Sequence, residues 1–229
     1  MNEYQILDAI AVRFNDEGIK DRNISVNYKE YLKLNRKKLV INQNKTVLED
    51  TLFKRESNRI FSQKLIPFDV FSRILFFSSG KKTGNFKRMY PSAGASYPLE
   101  VYLLNRTVNT IEKGIYHYNV KDNSLELLNN EINYQSLNGK IVKTFIDANL
   151  IIITNRINRT AKNYGLSSVQ LSILEAGHLA QNICLLLTEN NLSHCPVGGF
   201  DNKKISNILG LDDKEIPIYM IAFGGENES

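Results

Sequence analysis

Arg55, Ser57 and Arg59 stand at alternate positions in KRESNRIF, residues 54–61. An extended backbone throws successive side chains to opposite sides, so two guanidinium forks and one hydroxyl would point the same way. That donor set suits a phosphate. A charge-assisted hydrogen bond contributes roughly 1.5–3 kcal/mol, and an Arg fork matches phosphate oxygens better than a lysine does. A second segment, YPSAGAS at 90–96, has almost no side-chain volume after its tyrosine, which leaves backbone amides free to face a planar ligand. A third, CPVGGFD at 195–201, sets Gly198 and Gly199 between a proline and Asp201, which reads as a helix cap. GKKT at 80–83 looks like the end of a phosphate-binding loop, but Leu75 stands where that motif requires glycine and no strand precedes it.

Polar groups on one apolar run form a further constellation. Within VQLSILEAGHLAQNICLLL, residues 169–187, Glu175, His178 and Asn182 fall at i, i+3 and i+7 and share a helix face. They read as a satisfied polar seam at a helix or subunit contact, with a catalytic His178 as the alternative. Gly177 beside them costs about 1 kcal/mol relative to alanine and permits close approach of another backbone. Cys184 and Cys195 have no CxxC spacing, and His117, His178 and His194 complete no zinc-type ligand set, so reduced thiols and no metal are expected.

These residues need elements to hold them. Residues 4–13 and 46–55 read as short amphipathic helices. Pro67 suits the first turn of a helix whose apolar face is Phe68, Phe71, Ile74, Leu75 and Phe77, closed by Gly80. From Leu99 the apolar period becomes two: LEVYLLN, GIYHYNV, SLELLN, then NLIIIT and IPIYMIAFG, about five strands. Helices are expected at 135–146, at 168–190 behind a Ser167–Gln170 capping pattern, and at 202–209 closed by Gly210. The long one would run roughly 34 Å and span the domain. The interleaved order implies an α+β fold, helices flanking one mixed or antiparallel sheet, with residues 1–47 as an extension packed on a domain at 48–229.

The chain has 229 residues, 42% of them hydrophobic, enough for one core. It holds no run of 18 apolar residues and opens without a signal-peptide pattern, so a cytoplasmic, membrane-free protein is expected. The net charge of +5 collects in residues 29–45, but Tyr31 is the only aromatic there. A solvated face explains that run better than a nucleic-acid groove, which interleaves aromatics with its cations.

Five segments in order, KRESNRIF with LIPFDVFSRIL, PSAGASYPLEVYLL, ILEAGHLAQNICLL and CPVGGFDNKKISNILGL, resemble the flavin-dependent nitroreductase superfamily over about residues 48–224. PSAGASYPLEVY and EAGHLAQN point within it to the SagB-type dehydrogenases, which oxidise thiazolines and oxazolines in peptide natural products. That resemblance implies an FMN cofactor. It implies that Arg55, Ser57 and Arg59, with Glu56 in the same loop, hold the FMN phosphate and ribityl chain; that Pro91, Ser92 and Gly94 face the isoalloxazine ring; and that Val197, Gly198 and Gly199 supply a backbone amide to flavin N5. It also implies a homodimer with two FMN sites, each built from both chains, with the long apolar helix at the interface.

Members of that branch carry a Lys-Tyr pair ahead of the EAGH helix. Here Tyr164 falls on the tyrosine, but Asn163 falls on the lysine, with Lys162 displaced by one. Tyr164 and Lys162 are the catalytic candidates, because proton removal beside an azoline needs a base within reach and a phenol needs a nearby cation to serve as one. Three functions stay open: azoline oxidation on a ribosomally made precursor peptide, alongside a cyclodehydratase; NAD(P)H-dependent reduction of small quinones, nitro compounds or enones; and a catalytically degenerate flavin-binding scaffold in a peptide-modifying complex.

Overall fold

The computed structural model describes residues 44–131 and 147–226, with positions 2, 5, 6, 29, 37–39 and 145. Most of the expected helices at 4–13 and 135–146, and of the 1–47 extension and its basic run, lies outside the described residues.

From residue 44 on, the first element is α1 (Val47–Lys54), opened by the reciprocal capping box of Thr46 and Glu49, which satisfies two backbone donors. Next, α2 (Phe68–Ser79) starts behind Pro67 and buries Phe71, Ile74 and Leu75, while Phe77 stays half exposed. Then come β1 (Leu99–Asn105), β2 (Gly114–Asn119), β3 (Ser124–Asn129), β4 (Asn149–Asn155), α3 (Asn158–Tyr164), α4 (Ser167–Glu189), β5 (Leu192–Val197), α5 (Asn202–Leu209) and β6 (Ile216–Gly225). The strands form one sheet in the order β3-β2-β1-β4-β6-β5. Every pair in it is antiparallel.

The sheet has one strand more than the sequence pattern indicates. LSHCPV, the sequence of β5, lacks apolar alternation and contains Pro196, which demotes a segment as strand. An edge position tolerates that proline, because one side of an edge strand owes no ladder bonds. The edge is partly covered: the Asn58 N–H donates to the His194 carbonyl at 2.9 Å.

Period-two alternation divides the sheet between two cores. Leu99, Val101, Leu103, Ile151, Ile153, Ile221 and Phe223 face α2 and α4, with Phe71 stacked on Phe223 at 5.7 Å. Tyr102, Leu104, Ile115, Leu150, Ile152 and Met220 face the other way, against Ile205 and Leu209 of α5. Asp201 caps α5 by accepting from the Lys204 N–H at 2.9 Å, and Gly210 closes it in the left-handed conformation.

α4 is the long element that α1, α2, α3, β5 and β6 share as a packing partner. It is long and apolar enough to cross a membrane, but Ala176, Leu179, Ala180, Ile183 and Leu187 are buried in the core, as a central helix requires. Its start differs from the expected capping pattern. The N-cap is Leu166, with no side-chain bond, and Ser167 is the first helical residue. Gly165, at φ 51°, turns the chain from α3 directly into α4, and a left-handed residue there suits glycine.

Candidate active site

The side-chain-poor segment becomes a short 3₁₀ turn at Ala93–Ala95. Gly94, Ala95 and Tyr97 all have positive φ, at 55°, 52° and 45°. For the two that are not glycine this costs on the order of 1 kcal/mol or more each, a strain that persists only where surroundings impose it. The surroundings are identifiable. Ser92 Oγ accepts from the Tyr97 N–H at 2.9 Å and donates to Glu175 Oε2 of α4 at 2.6 Å. Asn182, two turns further along α4, donates to the Met89 carbonyl at 3.2 Å. Arg159 of α3 donates to the Tyr97 carbonyl at 3.1 Å and pairs with Glu100. Arg88 lies over the Tyr97 ring, 5.4 Å from its centroid.

Tyr164, at the end of α3, comes to the same turn. A Cβ placed on Gly94 would sit 2.8 Å from the Tyr164 hydroxyl, which would have to shift, and the positive φ suits glycine there. The structure therefore brings together Ser92, Gly94 and Tyr164. Lys162 is exposed on α3. Two residues before Tyr164, it leaves the helix about 200° round the axis from it.

Burial pushes the Glu175 carboxyl up to about 7, against the hydrogen bond from Ser92, the charge of Arg88 and the Ala93 amide, which favour ionisation. Glu175 is only 3% exposed, and among the described residues its Oε1 has no hydrogen-bond partner. Sequence reasoning placed Glu175 in a polar seam and not among the site residues; its one signal was a lone carboxylate on an otherwise apolar face. Of its companions, Asn182 is half-buried and bonded, while His178 is exposed.

The phosphate-type donor set lies elsewhere on α4. Arg55 is the C-cap of α1, and Glu56, Ser57 and Arg59 are exposed on the strap that Asn58 ties to β5. The Arg55 charge acts on Cys184 and His194, which places it by the α4–β5 junction, while that of Arg59 acts on Cys195, which packs in the core on the other face of the sheet. Burial, then Arg55, push His194 down to about 4, so it is neutral at physiological pH. Thr188 Oγ1 lies 2.9 Å from both the Cys184 carbonyl and His194 Nε2, which ties β5 to the end of α4. β5 ends at Val197, which is buried, and passes into exposed Gly198 and half-buried Gly199. A Cβ on Gly198 would meet nothing within 4 Å, so the backbone there borders open space. Strap and 197–199 segment thus share the β5 edge. Along α4 the turn and the residues leading into it are held at Glu175 and Asn182, and Arg55 acts at Cys184, two residues beyond Asn182.

Comparison with known proteins bears on what such a turn and strap serve. MJ1384 of Methanocaldococcus jannaschii, whose name marks it as a provisional nitroreductase, is 33% identical over 184 residues, 79% of this chain and 92% of that protein. The microcin B17-processing protein McbC of Escherichia coli is 25% identical over 156 residues, covering 65% of this chain and 57% of McbC. A chain in the solved E. coli microcin synthetase McbBCD complex with truncated pro-MccB17 bound superposes with a TM-score of 0.71 at 20% identity, over 99% of this chain and 94% of that one; at that identity the likeness is one of fold. The model of the nitroreductase family matches residues 52–225, a span that takes in the strap, the turn, Glu175 and the 197–199 segment, and the chain belongs to that family of oxidoreductases.

Proposed function

We propose that this chain is an FMN-dependent dehydrogenase that oxidises thiazoline or oxazoline rings to thiazoles or oxazoles in a ribosomally made precursor peptide, working with a cyclodehydratase. The observation that carries this reading is the strained, side-chain-poor turn at 92–95 with the Tyr164 hydroxyl set against Gly94.

The residues present fit FMN. Two arginines and a hydroxyl on an exposed strap match a phosphate, and a turn of Ser, Ala, Gly and Ala presents backbone to a flat ring. In this reading Arg55, Ser57 and Arg59 hold the phosphate end with Glu56 beside them. Pro91, Ser92 and Gly94 bear on the ring, and Val197, Gly198 and Gly199 offer it a backbone amide. FMN supplies two-electron acceptor chemistry when bound; the protein supplies binding, orientation and electrostatics. Tyr164 is the group at the turn able to take or hand on the proton that leaves the azoline, and Lys162 approaches only through substrate or a shift of α3.

A homodimer fits the same geometry. The exposed side of α4 carries Leu166, Ile173 and Leu174 about an open groove of about 440 Å³, then Gly177, beside which a partner backbone could pass closely. α1 adds exposed Val47, Leu48, Leu52 and Phe53. In such a dimer each FMN site would be built from both chains. An obligate contact of this type buries more than roughly 2,000 Å².

The likeness to McbC and to the McbBCD complex supports the peptide reading. The higher identity to MJ1384 favours a second one, reduction of small quinones, nitro compounds or enones with NAD(P)H as donor. One pair of assays separates them. The first reading expects a cyclised peptide to lose two hydrogens per ring by mass spectrometry; rapid flavin reduction by NADH or NADPH with an unchanged peptide supports the second and overturns the first.

A further inference from the structure

The Glu175 side chain contacts the turn but has no role in the reading above. It is buried, sits in α4, and meets the turn through a Ser92 hydroxyl 83 residues away in sequence. At 2.6 Å that bond is in the range of an O–H donor to an ionised carboxylate, about twice as strong as a neutral bond. Ser92 is itself fixed by the Tyr97 N–H, so the carboxylate holds a serine that holds the far side of the turn. We propose that Glu175 is a positioning residue for this turn: its carboxylate clamps Ser92 and Ala93 onto α4, and uptake of one proton releases the clamp, so that affinity for FMN follows pH. This deepens the FMN reading and rests on it.

The surroundings suit a group that exchanges a proton near neutrality. Burial pushes Glu175 up to about 7, so both forms are populated there. The groups facing it have mixed effects. Arg88, ahead of the turn, favours the carboxylate, while Tyr90 is buried and kept neutral, partly by Glu175 itself. From α3, Tyr164 reaches the turn, whereas Arg159 is engaged with Glu100 and Lys162 is exposed. α2 turns apolar Phe71, Ile74 and Leu75 inward and keeps Asp69 and Arg73 exposed. On α4 itself His178 is exposed, and from the β5–β6 edge His194, Cys195 and Tyr219 act toward the other end of the helix.

Among the described residues Glu175 Oε1 has no hydrogen-bond partner, and neither do the hydroxyls of Ser172 and Ser168, one and two turns back on the same face and fully buried. Buried polar atoms without protein partners are ordinarily served by ordered water. The three lie on one face of α4, from Glu175 toward its N-terminal end.

The test measures FMN dissociation constants by flavin fluorescence from pH 6 to 8.5 for the wild-type protein, Glu175→Gln and Glu175→Asp. FMN's own phosphate titration is common to all three and cancels. The wild type is expected to bind about tenfold more tightly at pH 8 than at pH 6, relative to Glu175→Gln, and Glu175→Asp to restore a pH dependence with a displaced midpoint. In parallel, hydrogen exchange of the 93–96 amides in the FMN-free protein, corrected for intrinsic rates, should gain about tenfold protection over the same interval in the wild type and none in Glu175→Gln. Identical profiles in wild type and Glu175→Gln overturn the clamp while FMN binding stands. A wild type that binds no FMN, with exchange still titrating, overturns the FMN half alone. Should Glu175→Gln fail to fold, a wild-type exchange profile flat from pH 6 to 8.5 overturns the clamp, and one that titrates and keeps its midpoint in Glu175→Asp overturns the assignment to Glu175.

Discussion

Glu175 and Glu215 are each only 3% exposed, yet the fold treats them in opposite ways. Glu215 is saturated: it accepts from Tyr102 at 2.8 Å, from Thr154, and from Arg156 at 2.7 Å, joining the segment ahead of β6 to β1 and β4. Among the described residues Glu175 has the Ser92 hydroxyl as its hydrogen-bond partner, and its other oxygen has none. A buried charge with full partners is a structural tie; one with too few, beneath a strained turn, is held near the point where it changes charge. Partner count, with burial equal, separates scaffold from site in this molecule.

The largest expected effect follows from the saturated member. Glu215→Ala removes the acceptor for two hydroxyls and a guanidinium, and breaking a buried pair from one side should cost about 3 kcal/mol, read from the urea midpoint. Glu175→Gln at pH 8 should cost nothing or stabilise, because it removes a buried charge. Similar losses from both would end the distinction.

Gly94→Ala comes next. Its Cβ would press on the Tyr164 hydroxyl at 2.8 Å and adopt φ 55°, for a loss of about 1–2 kcal/mol. Adding Tyr164→Phe should recover only the part due to contact, which a double-mutant cycle measures.

Two buried groups at opposite ends of α4 predict opposing pH slopes. Glu175 titrates near 7 when folded against the usual 4.5, so in between the folded state holds more protons and its stability falls as pH rises. His194 titrates near 4 against 6.5, so between those values the unfolded chain holds more protons and stability rises with pH. Each slope is at most about 1.4 kcal/mol per pH unit, and the two nearly cancel in the wild type. Relative to wild type, Glu175→Gln should gain stability from pH 4.5 to 7, and His194→Gln should gain as pH falls from 6.5 to 4, by urea titration at each pH. A flat difference curve for either would remove that group from the account.

The smallest expected effects concern turnover. Tyr164→Phe and Lys162→Ala should each keep flavin and slow azoline oxidation at least about tenfold, the scale of a general acid–base group. Because the two leave α3 in different directions, a loss confined to Tyr164→Phe would assign proton transfer to it alone.

Local signals made much of this legible. α4, the Asp201 cap and the Gly210 stop are set by residues a few positions apart, as are the small volumes of YPSAGAS and the alternation of Arg55, Ser57 and Arg59. What failed was non-local or positional. β5 hid behind Pro196, tolerated only because the strand lies at an edge that the sequence does not mark. The Ser167 pattern looked like a cap because Gly165 had not been seen to join α3 to α4. Glu175 could not be assigned because Ser92 is 83 residues away and only the folded packing joins them.

Whether strap and turn together form an FMN site is read by titrating the purified protein with FMN and recording the flavin absorption spectrum. Lys54 provides the internal control, since it pairs with Asp50 at 2.6 Å on α1, whereas Arg55 lies by the β5 edge. Saturation is expected at one FMN per chain, with Arg55→Ala weakening retention well beyond Lys54→Ala. No flavin spectrum after excess FMN, or equal losses in the two variants, would contradict it.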